Sequence, residues 1–223
     1  MYQIFSGIKS LLFPEICLIC SMPGFRICPK CNFVWLSTPK CTKVNNFSLD
    51  FVADYNEEIG QLLLLAKESG NKTSINTLSS ALTECIKALI QEKQIKLPIN
   101  IIPIPSSKQA IRRRGRDHID VLCAEVIKKL LQNSIMARKV PILMHIKKNK
   151  DQSNLTRQQR FENLKNAYTL NGPIPSTGVF ILLDDVMTTG SSISEAVRAL
   201  SEAKITILGA VTACAVGRNS LIR

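Results

Sequence analysis

The chain reads as an α/β protein, a mainly parallel sheet flanked by helices, with a small cysteine module near its N-terminus. Two segments, 101–130 and 179–200, each run from a short apolar strand through a polar loop into an amphipathic helix, which is the grammar of βα units. Ahead of them stand two Cys-x2-Cys pairs. The 223 residues suit one domain of moderate size with an appendage, and the reading divides them into a cysteine module at 1–45 and a main domain at 46–223.

In chain order, the first twenty residues carry apolar positions at Ile4, Ile8, Leu11 and Leu12 and one positive charge, Lys9. They read as a short amphipathic helix rather than a secretion signal, so the expected location is cytoplasmic, where thiols stay reduced. No segment approaches the apolar length of a membrane span. Cys17 and Cys20, then Cys28 and Cys31, form two knuckles joined by a seven-residue link in which Pro23-Gly24 supplies the turn. Four thiolates so spaced can enclose one tetrahedral Zn²⁺, and a complete shell leaves no position for substrate, so the zinc is expected to be structural. Cys41 stays unassigned, while Cys85, Cys123 and Cys214 sit among apolar residues as buried thiols.

The main domain opens with a strand over 51–55 and a helix through Ile59 and Leu62 to Leu65 that closes near Lys67 and Gly70. A second helix carries Leu78, Leu82, Cys85, Ile86 and Leu89 and stops before Pro98. Residues 101–105 form a strand, Arg112-Arg113-Arg114-Gly115-Arg116 a basic loop, and Ile119 to Leu130 a helix. His118 is open to two readings: a capping or surface group at a helix start, or an acid–base group. From 147 to 160 the chain is polar and basic without periodicity, a long loop of the kind that forms lids. A buried strand over 205–216 completes the set, and no internal repeat interrupts it.

The most informative stretch is the apolar strand 179–183 running into Asp184-Asp185-Val186-Met187-Thr188-Thr189-Gly190-Ser191-Ser192. Ile193, Ala196, Val197 and Leu200 then recur at helical spacing, and Ser192 with Glu195 has the spacing of a capping box, so a helix begins near Ser192. Hydroxyls and unpaired N–H groups at a helix N-terminus, beside a glycine that admits close approach, suit a phosphate. The adjacent acids would repel that phosphate, so they face another part of the ligand, sugar hydroxyls or a divalent metal. No G-x-x-x-x-G-K-[ST] and no G-x-G-x-x-G occurs, which excludes the P-loop and dinucleotide-binding classes.

Strand-Asp-Asp-x-x-Thr-Thr-Gly-x-Ser resembles the phosphoribosyl pyrophosphate (PRPP) motif of type I phosphoribosyltransferases. The cysteine module, the arginine–glycine loop and the pattern Gln152, Leu155, Arg160, Asn163 resemble the ComF branch, which is linked to DNA uptake. The resemblance implies a type I phosphoribosyltransferase-like fold, with Thr188, Thr189, Gly190, Ser191 and Ser192 on the 5-phosphate and Asp184 and Asp185 at the ribose. Ser106, Ser107, Lys108 and Arg114 would lie near pyrophosphate, Gln152 and Arg160 would reach in from the lid, and Mg²⁺ would accompany PRPP. Where the commoner pattern has an aromatic, Asn and Gln after Arg-Gly, this chain has Arg116-Asp117-His118, which puts recognition of the acceptor in doubt.

The implied reaction is transfer of ribose 5-phosphate to an acceptor. The alternative is a PRPP-responsive protein without catalysis that binds single-stranded DNA or DNA-uptake proteins. Net charge is +12, and residues 100–170 hold fifteen Lys/Arg against five Asp/Glu, which favours anionic partners. One Trp and three Tyr leave little for base stacking, so such contacts would be mainly to phosphate.

Overall fold

The computed structural model describes residues 15–44, 47–146 and 166–217. The expected amphipathic segment at the start and the expected lid, with Gln152, Leu155, Arg160 and Asn163, lie outside these residues apart from 15–20 of the former.

Within the cysteine module, the Cys17 N–H donates to the Met22 carbonyl, and Gly24 takes φ +90° at the turn expected from Pro23-Gly24. Helix α1 (Pro29–Phe33) starts with proline at a position where its fixed φ fits and its missing N–H is not needed. Residues 34–36 continue as a 3₁₀ turn that buries Trp35. Strand β1 (Lys40–Val44) pairs antiparallel with β2 (Phe47–Asp54), so this edge strand of the main sheet falls on the N-terminal side of the expected division at residue 45.

Helix α2 (Glu57–Leu64), capped by the Asn56 side chain on the Ile59 N–H, runs into a π-helical turn at Leu65–Ser69 that Gly70 ends at φ +67°. Helix α3 (Lys72–Glu92) follows, with Leu78, Leu82, Cys85, Ile86 and Leu89 buried as their spacing requires. Strand β3 (Ile99–Pro103) is wholly buried. The arginine patch expected to be a loop is instead the short helix α4 (Lys108–Arg114), with the Ser107 hydroxyl accepting from the Ala110 N–H and Gly115 closing it at φ +71°. Helix α5 (His118–Gln132) leads to β4 (Ala137–Lys139), and β5 (Leu143–His145) pairs with β6 (Tyr168–Leu170) as a separate two-stranded sheet. The C-terminal part runs β7 (Val179–Leu183), β8 (Val186–Met187), α6 (Ser191–Glu202) and β9 (Ile207–Ala215).

Strand order is β1-β2-β9-β7-β3-β4, with β8 also on β9, and every pairing in this sheet except β1–β2 is parallel. One face buries α2, α3, α5 and the cysteine module in a single apolar core; the other packs α6 and the β5–β6 pair. From β3 the chain proceeds to β4, and from adjacent β7 it proceeds the opposite way to β9. Between the C-terminal ends of β3 and β7 lies the topological switch point, where parallel sheets open a crevice.

Candidate functional site

The loops after β3 and β7 meet at that crevice, because Pro103 registers with Leu183 and the Ile104 N–H donates to the Leu183 carbonyl. Asp184 and Asp185 are held by backbone bonds to β9: the Asp184 N–H donates to the Val211 carbonyl and the Ala213 N–H to the Asp185 carbonyl. The two acids differ in their surroundings. Asp184 is half-buried, accepts the Asp185 N–H at 2.9 Å, and is raised well above the usual carboxylate range by burial and by its charged neighbour. Asp185 is 6% exposed, and its Oδ2 lies 2.7 Å from Nε2 of His118. Burial alone would raise Asp185; the His118 bond and charge, with Lys67 and Asp184 behind them, outweigh it and hold the carboxyl at about 2.

His118 is therefore neither a capping nor a surface group. It is 6% exposed, and its Nδ1 stands 3.4 Å from the Ser106 hydroxyl, which donates to Asp117 at 2.9 Å. Asp117 supplies the cap, accepting the Ile119 N–H.

The turn before α6 carries the residues expected to cradle a phosphate. Gly190 is the N-cap at φ +75° and offers no capping side chain, the Thr189 hydroxyl accepts the Ser191 N–H at 3.4 Å, and the capping box expected from Ser192 and Glu195 is not formed. Glu195 is drawn away by Arg198 at 2.7 Å and by the Tyr168 N–H, and so ties α6 to β6. Thr189 and Ser191 share a hydroxyl hydrogen bond of 2.7 Å, while Thr188 and Ser192 are half-buried alongside. The first-turn N–H groups, two threonines and two serines form a concentrated set of donors at a positive helix end.

On the β3 side, the Ser107 hydroxyl is used as the α4 cap and Lys108 is exposed. The Arg114 side chain is 1% exposed, yet its Nε, Nη1 and Nη2 have no hydrogen-bond partner, the nearest acid being Glu68 at 3.8 Å. A buried guanidinium in that state is costly, and phosphate oxygens are acceptors that would satisfy it. Arg116 donates to the Ala66 and Lys67 carbonyls, and Arg113 pairs with Glu68 at 2.9 Å, so the arginine patch clamps the π-helical turn. That turn carries Lys67, whose charge reaches both acids.

Sγ of Cys17, Cys20, Cys28 and Cys31 all lie within 4.8 Å of one another, and Cys20 and Cys28 are 3.6 Å apart. Sulfurs about 2.3 Å from a tetrahedral ion are spaced by roughly 3.8 Å, so the four fit a single metal. Burial would raise the Cys17 thiol, but backbone N–H groups including that of Cys28 bring it down to about 6; Cys31 is pushed up by burial and by the neighbouring thiols. A divalent ion would relieve that conflict. Cys41 is exposed on β1, apart from the cluster, and Cys85, Cys123 and Cys214 are buried as expected.

Residues 121–221 match the family model for the phosphoribosyl transferase domain. Competence protein F of Haemophilus influenzae is 30% identical over 151 residues, covering 65% of this chain and 62% of that protein. DNA utilization protein YhgH of Shigella flexneri is 26% identical over 213 residues, covering 83% and 90%, and its Escherichia coli K12 counterpart is 25% identical over the same length. The chain carries a phosphoribosyl transferase domain and is similar along most of its length to these competence and DNA utilization proteins. Its fold is that of a type I phosphoribosyltransferase with an N-terminal cysteine cluster.

Among the described residues the cysteine cluster is the one group of three or more candidate ligands, and Asp185 is already committed to His118. Asp184, Asp185, Ser106 and the 188–192 turn, all expected at the site, do converge on it, whereas Arg160 and Gln152 lie outside the described residues. Sequence reading undervalued His118 and gave Lys67 no role. The available signal for His118 was its place in the loop where the chain departs from the commoner ComF pattern.

Proposed function

We propose that the crevice between the β3 and β7 loops binds PRPP and that the protein transfers ribose 5-phosphate to an acceptor. In this reading the 188–192 turn takes the 5-phosphate and the acid pair lies at the ribose. Ser106, Ser107, Lys108 and Arg114, with Gln152 and Arg160, attend pyrophosphate. Mg²⁺ would travel on the ligand's own oxygens and help disperse charge on the leaving group. The C1–oxygen bond to pyrophosphate breaks, its electron pair leaving with pyrophosphate, and a bond from C1 to the acceptor nucleophile forms. Orientation by the two loops would supply much of the acceleration, and the negative Asp185 would tolerate positive charge growing on the ribose.

The carrying observation is the hydroxyl-rich α6 N-terminus beside the acid pair at the switch point, together with a buried Arg114 whose guanidinium makes no hydrogen bond. The names of the relatives support a role in competence or DNA utilisation. Calorimetric titration of zinc-loaded protein with PRPP and Mg²⁺ is expected to give saturable binding that vanishes in an Asp184→Ala/Asp185→Ala double variant. Folded wild-type protein that binds no PRPP would overturn the reading.

A second reading is a PRPP-responsive protein, without catalysis, that contacts single-stranded DNA or DNA-uptake proteins. Exposed Lys108, Arg112 and Arg113 on α4, beside the crevice, favour it.

A further inference from the structure

A buried phenol that cannot shed its proton is a committed donor, and the fold sets one against the first turn of α6. Tyr168 opens β6, is 4% exposed, and lies edge-on to the ring of His145 with centroids 5.4 Å apart. Its backbone is held on both sides by α6: the N–H donates to Oε1 of Glu195 at 3.4 Å, and the carbonyl accepts from Nη2 of Arg198 at 3.2 Å. Arg198 also donates to both carboxylate oxygens of Glu195, at 2.7 and 2.8 Å, so the hold is braced. Ser192 lies three residues before Glu195, close to one helical turn nearer the N-terminus of α6. The Tyr168 hydroxyl meets the Ser192 side chain and stands near enough to Asp184 to feel its charge. Burial pushes that hydroxyl well above its ordinary range, so it stays protonated. Ser192 itself is half-buried, with the tyrosine on its inner side.

We propose, resting on the PRPP reading above, that Tyr168 is a positioning residue for the 5-phosphate: its hydroxyl donates to Oγ of Ser192 and so turns the Ser192 hydrogen outward, onto the phosphate. A serine hydroxyl has one hydrogen to give and two lone pairs with which to receive. Within a helix that hydrogen is commonly spent on a carbonyl one turn back, as Ser79 and Thr83 spend theirs on α3. A phosphate dianion offers acceptors only, so a serine that has already accepted from tyrosine is matched to it, and each of the two hydrogen bonds strengthens the other.

Tyr168→Phe removes one oxygen and keeps the buried ring, the β6 backbone and the Glu195–Arg198 tie. Calorimetry on the full chain with ribose 5-phosphate, pyrophosphate and PRPP separates the two ends of the ligand, and thermal melts verify folding. Affinity for ribose 5-phosphate and for PRPP is expected to fall about fivefold, the scale of one neutral hydrogen bond, while affinity for pyrophosphate stays unchanged. A general loosening of the structure would lower all three. Ser192→Ala is expected to cost at least as much as Tyr168→Phe, and the double variant to be no worse than Ser192→Ala alone, because the tyrosine acts through the serine.

Equal losses for ribose 5-phosphate and pyrophosphate, no loss at all, or additive losses in the double variant would each overturn the proposal. Wild-type protein that bound neither ribose 5-phosphate nor PRPP would overturn the functional reading and the role of Tyr168 with it. Wild-type binding left untouched by Tyr168→Phe would overturn the role of Tyr168 alone.

Discussion

Gly190 shows how much one residue can constrain the site. Its φ is +75°, and a Cβ there would stand 2.9 Å from Cγ1 of Val44 on β1. Gly190→Ala is expected to cost about 1–2 kcal/mol in urea melts, through left-handed strain and displacement of Val44. Asp50 makes a different demand. It is 3% exposed, its Oδ2 has no hydrogen-bond partner, and burial, reinforced by the charge of Glu92, pushes its carboxyl up to about 6. An acid raised in the folded state contributes stability below its ordinary range and loses it as pH rises through 6. Between pH 5 and 7.5 the wild type is expected to lose about 1 kcal/mol that Asp50→Asn does not lose. Parallel urea series at the two pH values measure this, and equal slopes for both proteins would contradict it. Asp185 acts with the opposite sign, but its window lies between about 2 and its ordinary value of 3.8, below this range. The glycine and the acid pair were legible in sequence because their meaning is local. The His118–Asp185 contact was not, since no periodicity relates residues 67 apart.

Among the elements, the cysteine module shows packing and metal chemistry acting together. Cys17, Ile19, Cys28, Cys31 and Trp35 share one apolar core with Val52, Leu62 and Leu78 of the main domain. Loss of metal should therefore weaken the whole chain and not only the knuckles. Elemental analysis is expected to find one zinc per chain, and Cys20→Ser or a chelator to lower both the zinc content and the melting temperature. A melt indifferent to chelation would remove zinc from the account. The knuckles could be read from spacing alone. Helix α4 could not, because three arginines in a row suggested a solvated loop, although Ser107 before it and Gly115 after it are the start and stop signals of a short helix. The three-residue strands β4, β5 and β6 are too short to show any period.

For the whole molecule, formal charge does not say which basic groups have donors to spare for a partner. Net charge is +12, but Arg113 and Arg114 face Glu68, Arg116 is spent on backbone carbonyls, Arg138 on Asn100, and Lys139 on Asp120. If the protein binds single-stranded DNA through the exposed Lys108 and Arg112, affinity should fall with salt by about 0.7 log units per tenfold rise for each phosphate neutralised. Anisotropy titrations at several salt concentrations are expected to show that slope and a shallower one for a Lys108→Ala/Arg112→Ala variant. Salt-independent binding would exclude this mode. The α/β class was legible because two βα units declare themselves by periodicity. The order of the strands was not, because periodicity says which face is buried and nothing about which strand lies alongside.

That order has a consequence for biosynthesis. Strand β9, ninth along the chain, sits in the middle of the sheet between β2 and β7. Until residues 207–215 have left the ribosome, β2 and β7 each keep an unpaired edge, with an apolar slot between them waiting for a strand not yet available. A nascent chain stalled short of that point would expose two sheet edges prone to pairing with other molecules, so this protein should depend on chaperones most in the interval before β9 has emerged.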